Sequence, residues 1–169
     1  MLDTDIGRLA FQAYFVERRC VPVVTGIDFD GAADARPGPG VLAAIAAAGA
    51  IIIAPSNPWL SVDPILAVPG IATALRAAAA PVVAVSPIID GKAIKGPTAK
   101  LMTELGLPVT NASIATHYRD VIDGLVIDSG DSADGVGIPA ATTATLMSTL
   151  DDRARVAQTA LELAAVLAT

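Results

Sequence analysis

The sequence predicts a three-layer α/β fold built on a parallel sheet, and three observations support that prediction. Short apolar runs typical of buried strands occur at 51–54, 82–85 and 125–127. Each of the first two runs precedes a segment whose apolar residues follow helical spacing, and such alternation indicates a parallel sheet covered by helices. A chain of 169 residues that is 53% hydrophobic is also long and apolar enough for one domain with a sizeable core.

The first third of the chain is predicted to contain a helix, a strand and a second helix. Apolar residues from Ile6 to Val16 approach helical spacing, which predicts a helix over 6–19 with Thr4 and Asp5 as capping residues. The alternation over 22–29 predicts a strand, which a Pro- and Gly-rich loop follows. A short Ala-rich helix is expected over 41–48.

The remaining elements continue the alternation of strands and helices. Strand 51–54 is followed by 61–67, which is ambiguous because prolines interrupt it. The other predicted helices span 69–79, 97–105, 113–121 and 151–167, the last capped near Thr149 or Asp151, and the other strands span 82–85, 125–127 and 138–141. No repeat or linker divides the chain, so a single α/β domain over 1–169 is predicted.

Composition excludes several classes of function. The formal net charge of −6 provides no electrostatic attraction to nucleic acid, and the apolar runs are too short to span a membrane. Cys20 is the only cysteine and no signal segment is evident, which predicts a cytoplasmic protein without an intramolecular disulfide. Arg18 and Arg19 beside Cys20 favour a lower thiol pKa, but a single such thiol is expected to be inert.

Two loops follow predicted strands at the edge of the sheet where open parallel sheets bind ligands. Their glycines allow close approach of the backbone, their lysines suit phosphate oxygens, and a helix expected to start at Pro97 favours an anion. A solvated lysine loop with glycine turns explains the same spacing equally well, since neither the Walker nor the dinucleotide pattern is present. The candidate substrate-binding residues are Ser56, Asn57, Pro58, Ser86, Pro87, Gly91, Lys92, Lys95 and Gly96.

Four aspartates, Asp123, Asp128, Asp131 and Asp134, supply the oxygen ligands that magnesium prefers. Acidic turns on the surface are the simpler explanation for most of them. Asp128 alone lies at the end of a predicted strand and is therefore the best candidate for a metal ligand.

Several segments recur in the order and spacing of a known family. The most specific stretch is 54–70, with Ala-Pro-Ser-Asn-Pro at its start. The other segments are Thr4-Asp5-Ile6-Gly7, 11–16, Ala35-Arg36-Pro37, Ser86-Pro87-Ile88-Ile89, Gly91-Lys92, Lys95-Gly96-Pro97, His117-Tyr118, Asp123-Gly124 and Thr145-Leu146-Met147. Together they resemble the 2-phospho-L-lactate transferases of coenzyme F-420 biosynthesis over nearly the whole chain.

This resemblance implies a Rossmann-like fold and a group transfer. Family members move a phospholactyl or phosphoenolpyruvyl group from its guanylyl diphosphate ester to a ribityl hydroxyl of the deazaflavin Fo, release GMP and need Mg²⁺. The two loops would hold the phosphates of the guanylate donor, where positioning and charge stabilisation perform most of the catalysis. The resemblance also implies a homodimer.

Two departures from the family pattern leave alternatives open. The opening strand and glycine-rich nucleotide-binding loop of the family, with its metal-holding acids, find no counterpart here, so the chain is expected to correspond to the C-terminal part of a transferase. Ala144 stands where the family often has an acid before Thr-Leu-Met. The chain is therefore a transferase or a fragment of one, a non-catalytic subunit that pairs with a separate N-terminal half, or an unrelated nucleotide- or methyl-donor-binding domain.

If the chain is a C-terminal fragment, its sheet edges would be uncovered, which would favour self-association.

Overall fold

A computed structural model describes residues 1–93 and 96–169 as a mixed α/β structure. Two short π-helices, Ala13–Glu17 and Pro58–Val62, accompany the regular elements. The α-helices are α1 (Val41–Ala47), α2 (Asp63–Leu66), α3 (Ile71–Arg76), α4 (Thr98–Glu104), α5 (Asn111–His117) and α6 (Leu150–Leu167). The strands are β1 (Leu2–Thr4), β2 (Gly7–Leu9), β3 (Val24–Ile27), β4 (Ile51–Ile53), β5 (Val82–Val85), β6 (Ile88–Ile89), β7 (Lys92–Ala93), β8 (Gly124–Asp128) and β9 (Ala140–Thr143).

The main sheet has four parallel strands in the order β4-β5-β8-β9. Every residue of β5 and β8 is buried, as expected for the central strands of a parallel sheet that is covered on both faces. The predicted three-layer α/β fold with a parallel sheet is therefore confirmed. The edge strand β4 is less buried than predicted, and Ile52 at its centre is 39% exposed.

Successive residues of the central strands point to opposite layers. Val83, Val85 and Val126 pack against one side of α6, through Val156 and Ala160. The other face of the sheet forms the larger core together with the remaining helices, and β5 and β8 contribute Val82, Ala84, Leu125 and Ile127 to it. The capping box at the start of α6, in which Thr149 and Asp152 exchange hydrogen bonds, fixes where this helix begins.

The predicted helix over 6–19 is wrong. The segment forms the antiparallel hairpin β1–β2 and the π-helix Ala13–Glu17, and β3 pairs antiparallel with β1 in a separate three-stranded sheet. Gly7 has a φ of 108°, which is incompatible with a helix, and the Thr4 hydroxyl donates to its carbonyl oxygen at 2.6 Å. Strand pairing thus overrides the apolar spacing, which leaves Ile6 and Val16 exposed.

Smaller differences concern turns and helix ends. The hairpin β6–β7 was not predicted, although its Asp90-Gly91 turn has the positive φ values, 52° and 65°, typical of a two-residue hairpin. The helix predicted over 113–121 spans Asn111–His117, because the Thr110 side chain caps it earlier. No helix among the described residues is long and apolar enough to cross a membrane.

Candidate functional site

A cavity of about 340 Å³ lies at the edge of the main sheet where its parallel strands end, and we call it the edge cavity. Loops that follow β4, β5 and β9 contribute to it, together with the start of α4 and two phenylalanines from the N-terminal segment. Ligands bind at this edge in open α/β sheets. The lining residues include Phe11, Phe15, Ser56, Asn57, Leu60, Ser61, Ser86, Pro87, Ile89, Gly96, Pro97, Thr98, Thr145, Leu146 and Met147.

The Ser-Asn-Pro loop after β4 contributes Ser56 and Asn57 to the lining. The side chain of Asn57 is held internally: its oxygen accepts from the Leu60 N–H at 2.9 Å, and its amide donates to the Thr98 hydroxyl at 3.1 Å. Asn57 thereby caps the following π-helix and ties it to α4, and its contact with a ligand stays a prediction. Pro58 is buried and starts that π-helix, so it has a structural position.

The loop after β5 also contains residues that line the edge cavity and a residue that holds the loop in place. The Ser86 hydroxyl is buried, donates to Asn111 at 2.6 Å and accepts from the Ile88 N–H at 3.2 Å. These two bonds anchor the loop to α5, and because Ser86 also lines the edge cavity, its contact with a ligand stays a prediction. Pro87 and Ile89 face the edge cavity.

The glycine- and lysine-rich part of this loop is the β6–β7 hairpin. Gly91 and Lys92 are exposed and are not among the described residues that line the edge cavity. The Gly91 N–H donates to Asp131 at 2.7 Å, which ties the hairpin to the turn after β8. Lys95 lies outside the described residues, whereas Gly96 lines the edge cavity beside Pro97 and the buried Thr98.

Asp128 holds the opposite wall of the edge cavity in place. Its carboxylate is 7% exposed and accepts hydrogen bonds from the N–H groups of Thr145 and Gly130, at 2.7 and 2.9 Å, and from the Thr145 hydroxyl at 3.1 Å. Burial raises the pKa of Asp128, but the three hydrogen bonds outweigh burial and lower the pKa below its ordinary value. Asp128 thus fixes Thr145, which directly precedes Leu146 and Met147 of the lining, a role that the sequence pattern did not predict.

The four aspartates considered as metal ligands do not converge. Asp123 accepts from the Val82 N–H at 2.8 Å at the opposite end of the sheet, and Asp131 binds Gly91. Within residues 1–93 and 96–169, no group of three or more His, Cys, Asp or Glu side chains is arranged to hold a metal ion. Both oxygens of Asp128 accept hydrogen bonds, and magnesium binding stays a prediction.

Phe11 and Phe15 were not singled out from the sequence as site residues. Their rings stack with centroids 5.3 Å apart and an interplanar angle of 23°, and they remain 39% and 41% exposed at the edge cavity. The signal was their spacing of four residues, which places them on one side of a helical turn. Behind them, burial raises the pKa of the Cys20 thiol, so the neighbouring arginines do not activate it.

His117 and Trp59 support the site from behind. His117 Nε2 lies 2.8 Å from Asp63 Oδ1, and the His117 and Trp59 rings are 4.7 Å apart. These contacts join α5 to the segment that follows the Ser-Asn-Pro loop. Trp59 and Tyr118 are both buried, which assigns them to packing rather than to stacking on a ligand.

The fold and the edge cavity define an α/β protein with a cavity at the carboxyl edge of a parallel sheet, where ligands bind in open α/β folds. A family model described as 2-phospho-L-lactate transferase CofD matches residues 3–165. The chain belongs to this family, which confirms the resemblance seen in its sequence.

Named relatives agree with this assignment. The chain is 41% identical over 160 residues to a phosphoenolpyruvate transferase of Kitasatospora aureofaciens, covering 91% of this chain and 50% of that protein. It is 36% identical over 156 residues to a 2-phospho-L-lactate transferase of Methanococcoides burtonii, covering 89% and 50%. The chain thus spans about half the length of these relatives.

A solved structure shares the fold. A protein of the UPF0052 family from Bacillus halodurans superimposes with a TM-score of 0.62 at 18% identity, over 95% of this chain and 58% of that one. At this identity the similarity supports the α/β architecture only.

Proposed function

We propose that this chain takes part in transferring a phospholactyl or phosphoenolpyruvyl group from its guanylyl diphosphate ester to the deazaflavin Fo, with release of GMP, in coenzyme F-420 biosynthesis. Family membership supports this proposal. The observation that carries it is the edge cavity, because parts of three family segments, Ser56-Asn57, Ser86-Pro87 and Gly96-Pro97, all line it.

The chemistry of the edge cavity suits the phosphates of the donor. Ser56 and Ser61 are lining residues that carry hydroxyl groups, and Gly96 leaves the backbone open to close approach. Lys92 is exposed and pairs with Ile89 of the lining in the hairpin, so its flexible ammonium group is a positive charge on the strand next to a lining residue.

In the proposed reaction, a ribityl hydroxyl oxygen of Fo attacks the phosphorus that bears the three-carbon unit. The new O–P bond forms while the bond from that phosphorus to the oxygen of GMP breaks. GMP leaves with the electron pair, and the hydroxyl proton is lost. Such transfers depend mainly on alignment and on stabilising the charge of the transferred group, which fits a cavity formed by hydrogen-bonding loops.

We include magnesium in the proposal only because the family resemblance implies it. When bound, it would neutralise charge on the donor diphosphate. Since no group of three or more His, Cys, Asp or Glu side chains among the described residues is arranged around a metal ion, no step of the reaction is assigned to magnesium.

Ser56 provides the most direct test of donor binding. Ser56→Ala removes a cavity hydroxyl, and because one hydrogen bond to a charged group contributes about 1.5–3 kcal/mol, the affinity for GDP should fall roughly ten- to a hundredfold. Isothermal titration calorimetry with Mg²⁺ present measures this loss. Ser148→Ala is the matched control, because Ser148 is not among the residues that line the edge cavity.

Unchanged GDP affinity in Ser56→Ala would contradict the assignment of the phosphates to the edge cavity. The same titration with Lys92→Ala separates the contributions of the two loops. If GDP affinity falls in Lys92→Ala but not in Ser56→Ala, the phosphates bind at the hairpin and not at the Ser-Asn-Pro loop.

A further inference from the structure

Asn111 is a buried polar residue that contacts the lining of the edge cavity and has no part in the proposed function so far. It is the first residue of α5 and is 3% exposed. Its amide group donates to the Ser132 carbonyl oxygen at 3.4 Å, and its oxygen accepts from the Ser86 hydroxyl at 2.6 Å. Asn111 thus connects the loop after β5 with the turn after β8.

The two contacts of Asn111 have a fixed polarity. A carbonyl oxygen can only accept a hydrogen bond, so the NH₂ group of Asn111 must face Ser132. The amide oxygen of Asn111 therefore faces Ser86, and because this oxygen too can only accept, the Ser86 hydroxyl must supply the proton. A flipped amide would place two acceptor oxygens against each other at the Ser132 carbonyl.

The contact with Asn111 limits what the Ser86 hydroxyl can bind. A serine hydroxyl has one proton and two lone pairs. The proton is directed to Asn111, and one lone pair accepts from the Ile88 N–H at 3.2 Å. The backbone of Ser86 is fixed as well, since its N–H donates to the Val126 carbonyl oxygen at 2.8 Å. Ser86 belongs to the lining of the edge cavity, and its one remaining lone pair can accept a hydrogen bond but cannot donate one.

We infer that Asn111 is a positioning residue that fixes Ser86 as a hydrogen-bond acceptor, and that Ser86 binds a hydroxyl or N–H group of a substrate and not a phosphate oxygen. Ionised phosphate oxygens only accept hydrogen bonds, so they cannot pair with the remaining lone pair. This inference rests on the proposed function, which supplies two sources of such a donor group. One is the ribityl chain of Fo, and the other is the ribose and base of the guanylyl donor.

Ser86→Ala tests the polarity of this contact. Pyrophosphate is a probe that has phosphate oxygens but no hydroxyl chain or ring, and its affinity with Mg²⁺ present, measured by calorimetry, should be unchanged. Affinity for Fo, for GDP or for both should fall roughly two- to tenfold, as expected for the loss of one uncharged hydrogen bond. The compound whose affinity falls identifies the substrate that Ser86 contacts. Ser56→Ala is the matched control, because its affinity for pyrophosphate should fall.

Asn111→Leu tests the positioning role. This change removes the acceptor of the Ser86 proton, so the hydroxyl becomes free to donate. Affinity for pyrophosphate should then rise relative to affinity for the substrate that Ser86 contacts, whereas a purely structural role would change all affinities in the same direction. In the double variant that combines Ser86→Ala with Asn111→Leu, the ratio of affinities should equal that of Ser86→Ala, because Asn111 acts through Ser86.

Three results would overturn the inference: weaker binding of pyrophosphate in Ser86→Ala, unchanged binding of both Fo and GDP in Ser86→Ala, or an equal change of all affinities in Asn111→Leu. If circular dichroism shows that Ser86→Ala does not fold, the double variant replaces it. Replacing both partners of the hydrogen bond by apolar groups leaves fewer buried polar groups unpaired than removing one partner alone.

Product formation separates this inference from the proposed function. If Ser86→Ala shows the expected pattern of affinities and the wild type forms no product, the assignment of Ser86 and Asn111 stands and the proposed transfer fails. If the wild type forms product while Ser86→Ala binds Fo and GDP as the wild type does, the transfer stands and the inference is wrong. A wild type that binds neither Fo nor GDP would overturn both.

Discussion

At the scale of single residues, several polar side chains that are predicted to touch a ligand also hold the loops of the site. Ser86 and Asn57 each have hydrogen bonds within the protein, and Asp128 receives three. Buried polar groups require such partners, so their bonds determine the shape of the edge cavity. Sequence patterns show that polar residues follow strands but cannot show whether these residues face inward or toward the cavity.

Asp128→Asn tests the positioning role of this carboxylate. An asparagine has one acceptor oxygen in place of two, so a buried N–H is left without a partner at a cost of about 1–3 kcal/mol at pH 7. Because the folded pKa of Asp128 is lowered, its stabilising contribution is present above the unfolded pKa of about 3.9 and is lost as the pH falls through the folded value. Asp128→Asn lacks this contribution, so acidification below roughly pH 5 should cost the variant less stability than it costs the wild type.

Urea unfolding at several pH values measures both effects. Asp134→Asn is the control, because Asp134 is exposed and should change the unfolding free energy by less than about 0.5 kcal/mol. If Asp128→Asn is as stable as the wild type at pH 7, the carboxylate does not hold the Thr145 wall.

At the scale of elements, the Ser-Asn-Pro loop and the following π-helix behave as one unit. Asn57 caps the π-helix Pro58–Val62, and Thr98 at the start of α4 receives its amide. The pair of His117 and Asp63 secures the next helix, α2, to α5. The loop is therefore fixed before any ligand binds, which reduces the entropic cost of binding.

Asn57→Ala should loosen this unit. Loss of a capping side chain costs about 0.5–2 kcal/mol, which in a chain of this size lowers the melting temperature by roughly 1–8 °C. GDP affinity should fall with it. Asn57→Asp retains the acceptor for the Leu60 N–H but not the donor to Thr98, so it should lose less stability.

Thermal melting and calorimetry of the two variants provide the measurement. If Asn57→Ala melts like the wild type and still binds GDP more weakly, the result would favour the direct contact between Asn57 and a ligand that the sequence predicted.

Elements with strong, continuous patterns were predictable from the sequence, while those set by long-range pairing were not. The runs 82–85 and 125–127 are apolar throughout, and both became central strands. The segment 6–19 has a helical apolar pattern that favours the wrong structure, because pairing of β1 with β3 is invisible locally. The edge cavity was predictable as a location, since parallel strands end at one edge. The presence of Phe11 and Phe15 in its lining was not predictable, because they belong to an N-terminal segment that is distant in sequence from the loops of the cavity.

At the scale of the whole molecule, the main sheet ends at an uncovered strand. Ile52 is 39% exposed at the centre of β4, whose only described partner is β5. An apolar edge strand with unpaired backbone groups favours association with another chain. Self-association, as the sequence predicts, is therefore the expected behaviour of this chain in solution.

Ile52→Lys should reduce that association, because a charged edge residue opposes strand pairing. Light scattering over a range of concentrations should show a larger mean mass for the wild type than for the variant. Ile65→Lys is the matched control, since Ile65 is also exposed but lies on α2. A wild-type protein that is a monomer at all concentrations would contradict the expectation.

The proposed transfer chemistry at the edge cavity has one most direct test. It is a mass-detected transfer assay with this chain alone, Fo, the guanylyl donor and Mg²⁺. We expect the deazaflavin that carries the transferred phospholactyl or phosphoenolpyruvyl group, together with GMP, above the enzyme-free control, with a lower rate in Ser56→Ala. Folded protein that binds GDP but forms no product would contradict the proposal, and would favour a non-catalytic subunit that needs a second polypeptide.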